Sequence, residues 1–166
     1  MLQSFEIEVL ADVRSFPGSR KYPQFNREQL AGSMAALGIQ YLNLQALGGR
    51  RKPAGHSHNT GWRSASFRAY ADYMQTEAFL QGLAELKDLA QHRKVAYMCS
   101  EAVWWRCHRA LISDKLKSEG WQVWHIMAEN QAKEHPYTSP AVVVEGQLTY
   151  PGRGKDTDQP GNRTLF

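Results

Sequence analysis

The 166-residue chain has only two cysteines, Cys99 and Cys107, too few for the disulfide framework of a small secreted domain. Long apolar runs are missing as well. No stretch approaches the ~20 consecutive apolar residues that a membrane helix needs. The N-terminus has no apolar run behind a basic stretch, so no signal peptide is read there. There is no internal repeat, no low-complexity tract and no lysine-rich run. These absences argue against a membrane protein and a secreted scaffold, and they make the cytoplasm the expected location. The length fits one domain, with residues 1–150 as a single α/β unit and residues 151–166 as a loosely ordered tail. At this size roughly two-thirds of the unfolded surface can be buried, so the core needs neither metal nor disulfide.

What the chain does have is a mildly basic balance, +4 at neutral pH with a pI near 9.1. That charge permits a phosphate-bearing partner without demanding one. The excess sits in loop arginines, whose planar fork suits bidentate contact with phosphate or carboxylate. Hydrophobic periodicity orders the elements. Ile7–Val13 (IEVLADV) reads as a buried strand. Asn26 is placed to cap a helix running to Leu37, with Gln29 in the reciprocal position, and Gly38 stops it. Ile39–Leu44 is the second strand. Gln45–Arg63 is a long loop rich in Gly, Arg and His. Ser66–Met74 reads as helix, Thr76 caps another helix, and Lys94–Met98 is the third strand. Arg106–Ser118 is a helix, Trp121–Ile126 a fourth strand, and Ala141–Val144 with Gln147–Tyr150 a hairpin about Glu145-Gly146. This alternation predicts a small three-layer α/β domain with a mostly parallel sheet of about four strands.

Ligands of open parallel sheets bind beyond the carboxyl ends of the strands. Asp12, Arg14, Ser19 and Arg20 follow the first strand, and Gln45, Gly48, Gly49, Arg50 and Arg51 follow the second. Cys99, Ser100, Glu101, Arg106, Cys107, His108 and Arg109 follow the third, and His125 the fourth. Reactive residue types therefore gather at one edge, which makes Cys99–Arg109 the candidate centre. Glu101 is the candidate general acid or base, with Trp104 and Trp105 as apolar neighbours. Its competing role is to cap the next helix. Asp12 is the second carboxylate, with an internal bridge to Arg14 or Arg109 as the equal alternative. Cys99 is a candidate nucleophile between a strand end and a helix N-terminus, where thiolate is favoured; otherwise it is a small buried residue closing the strand. His108 is a candidate proton shuttle or a hydrogen-bonded structural histidine. Arg14, Arg20, Arg50, Arg106 and Arg109 are the candidate anion clamp, or else a set of structural ion pairs. Cys99 and Cys107 lie eight positions apart and match no common zinc spacing, so no metal ligand is assigned.

Several ordered motifs resemble one family. They are Asp12-Val-Arg14-Ser-x-Pro17-x-Ser19, Pro23-x-Phe25, Leu47-Gly-Gly-Arg50 and Phe67-x-x-Tyr70-x-x-Tyr73-Met74. Cys99-x-Glu101 ending in Arg106-Cys107-His108-Arg109 follows, then His135-Pro136, Gly146-x-Leu148-Thr-Tyr150-Pro151 and the final Leu165-Phe166. Together they resemble the domain-of-unknown-function family numbered 488, from about Ile7 onward. The resemblance implies a compact α/β domain and names no activity. It also implies a chain lacking the family's usual first strand, which carries a Gly-His-Ser segment, and it puts Trp104-Trp105 where many relatives have an acidic residue and proline.

Three functions are open on these residues. The first is an enzyme, hydrolase or transferase, acting on a phosphate-bearing nucleotide or nucleic-acid-like substrate. The second is a non-catalytic module binding nucleic acid or another anion. The third is a metal or thiol redox site on Cys99, Cys107 and His108. The enzyme is favoured, because a binding surface does not need cysteine, carboxylate and histidine together behind strand ends. Cofactor and oligomeric state stay open.

Overall fold

A computed structural model of the chain describes residues 1–53 and 55–152. The tail expected to be loosely ordered lies, from residue 153 onward, outside the described residues. The centre of the fold is β1 (Val9–Asp12), whose four residues are all buried. A strand covered on both faces needs a continuous apolar run, and Val9-Leu10-Ala11 supplies it. β2 (Gln40–Asn43) and β3 (Val95–Met98) flank β1 in parallel, in the order β2-β1-β3, with Leu10 opposite Tyr41 and Ala96. Asp12, at the carboxyl end, stands opposite Asn43 and Met98.

The pleat sends alternate residues to different clusters. Leu10 packs with Leu30 and Met34 of α1 (Arg27–Ala36) and with Ile39. Ala11 and Val13 pack with α2 (Ala65–Tyr73), α3 (Glu77–His92) and α4 (Arg109–Ser118) through Tyr70, Phe79, Leu83, Leu86, Leu111 and Ile112. The chain is thus a mixed α/β fold with a three-stranded parallel sheet and helices. Thr76 caps α3, its hydroxyl accepting the Phe79 N–H at 3.4 Å. Asn26 behaves otherwise: its Oδ1 accepts the Ser19 N–H at 2.6 Å and makes no cap bond to α1. The side chain serves the preceding loop, because Asn competes for any nearby backbone donor.

The fourth strand does not join this sheet. β4 (Trp124–Ala128) pairs antiparallel with β5 (Gln131–Glu134) in a separate ribbon. The reason lies in its alternation. Trp124 and, within the register shift between Ile126 and Ala128, Met127 are exposed while His125 is buried, so the strand is covered on one face only. Among the described residues nothing pairs with the outer edge of β3. A groove of about 620 Å³ runs there instead, lined among others by Leu2, Phe5, Ile7, Trp104, Trp124 and Ile126. β6 (Val142–Val144) and β7 (Gln147–Thr149) form an antiparallel pair. Its turn, Glu145 at φ 50° and Gly146 at φ 77°, is the left-handed pair that a two-residue hairpin requires.

The long loop after β2 is fastened at both ends. Tyr70 and Tyr73 hydroxyls donate to the Leu47 and Ala46 carbonyls at 2.7 and 2.6 Å. Arg51 lies 3.4 Å over the Tyr73 ring and donates to the Gly48 and Ala46 carbonyls. Farther on, Ser57 and Asn59 donate to Asp72 of α2 at 2.7 and 2.8 Å. This path holds Gly49 and Arg50 over the carboxyl end of the sheet.

Candidate active site

Cys99 directly follows β3, and Cys107 and His108 directly precede α4. A 3-10 turn, Trp104–Arg106, reverses the chain between them and closes with the Cys107 N–H on the Trp104 carbonyl at 3.1 Å. The turn brings Cys99 Sγ, Cys107 Sγ and His108 Nδ1 within 4.8 Å of one another. Nδ1 stands 3.8 Å from the Cys99 sulfur and 3.6 Å from that of Cys107. The other ring nitrogen, Nε2, is 3.0 Å from the Val13 carbonyl. A carbonyl only accepts, so Nε2–H donates to it and Nδ1 faces the sulfurs. Tyr70 lies against the imidazole with 5.0 Å between ring centres. Gly49 closes over it: a Cβ there would stand 2.3 Å from Nδ1, so only glycine fits.

The two thiols are electrostatically unequal. The Cys99 pKa is drawn down, first by the neighbouring Cys107 thiol and then by His108, against the opposing effect of burial. Cys107 is pushed up, by the neighbouring Cys99 sulfur and by burial. Two close thiols share one proton, and the thiolate forms at Cys99, the less buried of the two.

The cluster opens into a cavity of about 760 Å³ that also touches Arg14, Ser15, Phe16, Arg50, Glu101 and Arg106. Of the residues expected at this edge, Cys99, His108, Glu101, Arg14, Arg50 and Arg106 line the cavity, and Asp12, Arg20 and Arg109 do not. Asp12 is fully buried and spent on Arg14, which donates from Nε at 2.8 and 3.0 Å, from Nη2, and from its backbone N–H at 3.0 Å. The Tyr41 hydroxyl adds a bond at 2.6 Å, and burial, then that bond, raise the Tyr41 pKa to about 12. Asp12 is therefore placed as the anchor of Arg14, and the bridge is to Arg14 and not to Arg109. Arg109 reaches back to the Glu101 carbonyl at 2.6 Å and lines the groove beside β3. Arg20 is exposed in the loop before α1. Glu101 is exposed at the cavity rim and not enclosed by tryptophan, because Trp104 stacks on His125 instead, with ring centres 4.2 Å apart and planes within 1°.

One buried polar chain escaped the reading by sequence. Asp114, on α4, accepts from His135 Nε2 at 2.9 Å, from Thr138 N at 2.9 Å, from the Thr138 hydroxyl, and from the Tyr150 hydroxyl at 3.1 Å. His135 Nδ1 in turn meets His125 Nε2 at 2.8 Å. His135 Nε2–H thus donates to the carboxylate, and its Nδ1 faces His125 Nε2. Burial, then repulsion from His135 and Arg109, lowers the His125 pKa from 6.5 to about 4. Between pH 6.5 and 4 the unfolded chain binds a proton at His125 that the folded chain refuses. Stability is complete above the upper value and falls as pH drops toward the lower one, by at most about 3 kcal/mol. Urea unfolding at pH 7 and pH 4.5 should show this loss, and His125→Phe, which keeps the ring on Trp104, should flatten it. An unchanged pH slope in the variant would remove His125 as the cause.

No curated protein and no solved structure matches the chain. A family model does: the one described as Domain of unknown function DUF488 matches residues 1–116. That span holds the whole parallel sheet, Asp12 and Arg14, the Gly48-Gly49 loop and the Cys99–Arg109 segment. The chain belongs to the family of the domain of unknown function DUF488.

Proposed function

We propose that the chain is an enzyme acting on a phosphate-bearing substrate, nucleotide or nucleic-acid-like, held in the cavity at the carboxyl edge of the sheet. One observation carries this reading: a thiolate-forming cysteine, paired with a second thiol and an oriented imidazole, shares a cavity of about 760 Å³ with three arginines. Positive side chains at the mouth suit an anion. Arg14 is held in place by Asp12, whereas Arg50 and Arg106 are exposed. Arg50 also lies 5.7 Å over the Phe16 ring, and its N–H donates to Ser15 at 3.2 Å. A bare binding surface has no use for the sulfur–imidazole cluster behind those arginines, and hydrolysis and group transfer are the chemistries such a cluster serves.

The test is alkylation by iodoacetamide in chelator-containing buffer, followed residue by residue by mass spectrometry. Cys99 should react faster than Cys107. Inorganic phosphate or ATP should slow it at least several-fold, and Arg50→Gln should weaken that protection. Equal rates at the two cysteines argue against an activated Cys99. Rates unmoved by millimolar phosphate and ATP argue against the anion pocket.

A further inference from the structure

We propose that Cys99, Cys107 and His108 bind a thiophilic divalent ion, zinc above all, with the fourth coordination position open to the cavity. The proposal rests on reading this cavity as the reactive centre, and it names the group that centre holds.

Zinc sits about 2.3 Å from thiolate sulfur and about 2.0–2.1 Å from imidazole nitrogen, so the nitrogen–sulfur edge of a tetrahedron is about 3.6 Å. The two edges here are 3.6 and 3.8 Å, and all three donor atoms fall within 4.8 Å. The two sulfurs, within 4.8 Å of each other, close to the tetrahedron's S–S edge of about 3.8 Å with a side-chain adjustment of up to about 1 Å.

The surroundings orient the same three atoms. A metal-binding imidazole donates its other N–H to a carbonyl or carboxylate, which fixes the tautomer and the ring. His108 does this toward the Val13 carbonyl. Tyr70 and Gly49 then bar the ring from turning. The Arg109 backbone amide attends the Cys107 sulfur at 3.5 Å. Such a donor favours the anionic sulfur that a metal needs.

Three protein donors are one fewer than a closed structural site uses and the number in catalytic zinc sites, where the fourth position holds water or substrate. All three residues line the 760 Å³ cavity, with Arg14 and Arg50 on its wall. An anionic substrate oxygen entering there meets the ion and the arginines together. In this arrangement Cys99 is a ligand, and the reacting oxygen is held by the ion.

The experiment uses the full chain, reduced and stripped with a chelator, then titrated with Co2+ and with Zn2+. The expected results are one Co2+ per chain, a sulfur-to-cobalt absorption band in the near ultraviolet, and loss of that band as Zn2+ replaces cobalt. Zn2+ should also protect Cys99 and Cys107 from iodoacetamide in phosphate-free buffer. Cys99→Ser, Cys107→Ser and His108→Ala should each weaken zinc binding at least about 10-fold. Circular dichroism shows which variants fold, and for any that does not, the wild-type cobalt band and the protection of its thiols decide. A folded wild-type chain with no sulfur-to-cobalt band overturns the site, and so does zinc affinity unchanged in folded Cys99→Ser. The anion reading fails separately, through alkylation that phosphate does not slow. If zinc fails while phosphate still protects, Cys99 is a free thiolate nucleophile in the same pocket.

Discussion

Asp114→Ala is expected to destabilise the chain by about 3–5 kcal/mol, a large share of the 5–15 kcal/mol typical of a folded domain. Asp114 and His135 are both fully buried, and Tyr150 nearly so. The substitution leaves the His135 N–H and the Tyr150 hydroxyl without an acceptor, in a place water does not reach. Each orphaned donor costs about 1–3 kcal/mol. Tyr150 cannot relieve the strain by ionising, because burial, the largest cause of its raised pKa, persists in the variant. The bonds also reach across the fold. They tie α4 to His135 beyond β5, to Thr138 and to the end of β7, so their loss frees the whole C-terminal ribbon. Asp114→Asn keeps the volume and two of the acceptor positions, and it should cost about half as much. Urea unfolding monitored by tryptophan fluorescence measures both. An Asp114→Ala chain within about 1 kcal/mol of the parent would show that the network adds no more than surface bonds do.

The parts of the fold legible in sequence are those where local pattern and tertiary role agree. β1 is a continuous apolar run and lies buried on both faces. Thr76 stands before a helix whose apolar residues recur at helical spacing, and it caps that helix. Local pattern and tertiary role part company at β4. Trp121–Ile126 is apolar enough for a sheet interior, yet Trp124 is exposed beside buried His125 and the strand shifts register before Ala128, as in a ribbon covered on one side. Reading apolar content without the period placed it in the parallel sheet. Asn26 shows the same limit on a smaller scale, since a cap side chain has several donors in reach and sequence does not rank them.

The candidate site was legible as a place. The rule that ligands lie at strand carboxyl ends put Cys99, Cys107, His108, Arg14 and Arg50 at one edge, and the cavity there touches all five. Its inner geometry was not legible. Zinc spacings catalogue short hairpins and helices, whereas Cys99 and Cys107 are brought together by a 3-10 turn that no motif records. Asp114 was hidden for another reason: its partners lie 21, 24 and 36 residues away, and a lone acidic residue on a helix reads as solvated.

Asp12→Ala should cost as much as Asp114→Ala, about 3–5 kcal/mol, by a different route. Arg14 is 6% exposed, and among the described residues its one carboxylate partner is Asp12. Removing that carboxylate leaves a buried cation uncompensated and takes the acceptor from the Tyr41 hydroxyl. Replacing both partners with apolar groups avoids this, since neither charge is then left alone. The double variant Asp12→Ala/Arg14→Met should therefore be more stable than Asp12→Ala alone, a reversal that lost packing cannot produce. The same pair separates stability from binding. If Asp12 serves to aim Arg14 into the cavity, the double variant regains stability while phosphate protects Cys99 from alkylation less well than in the parent. Urea unfolding gives the first quantity and residue-resolved alkylation the second. Asp12→Ala within about 1 kcal/mol of the parent would show that Arg14 finds solvent or another partner unaided. Full phosphate protection in the double variant would show that Arg50 and Arg106 hold the anion without Arg14.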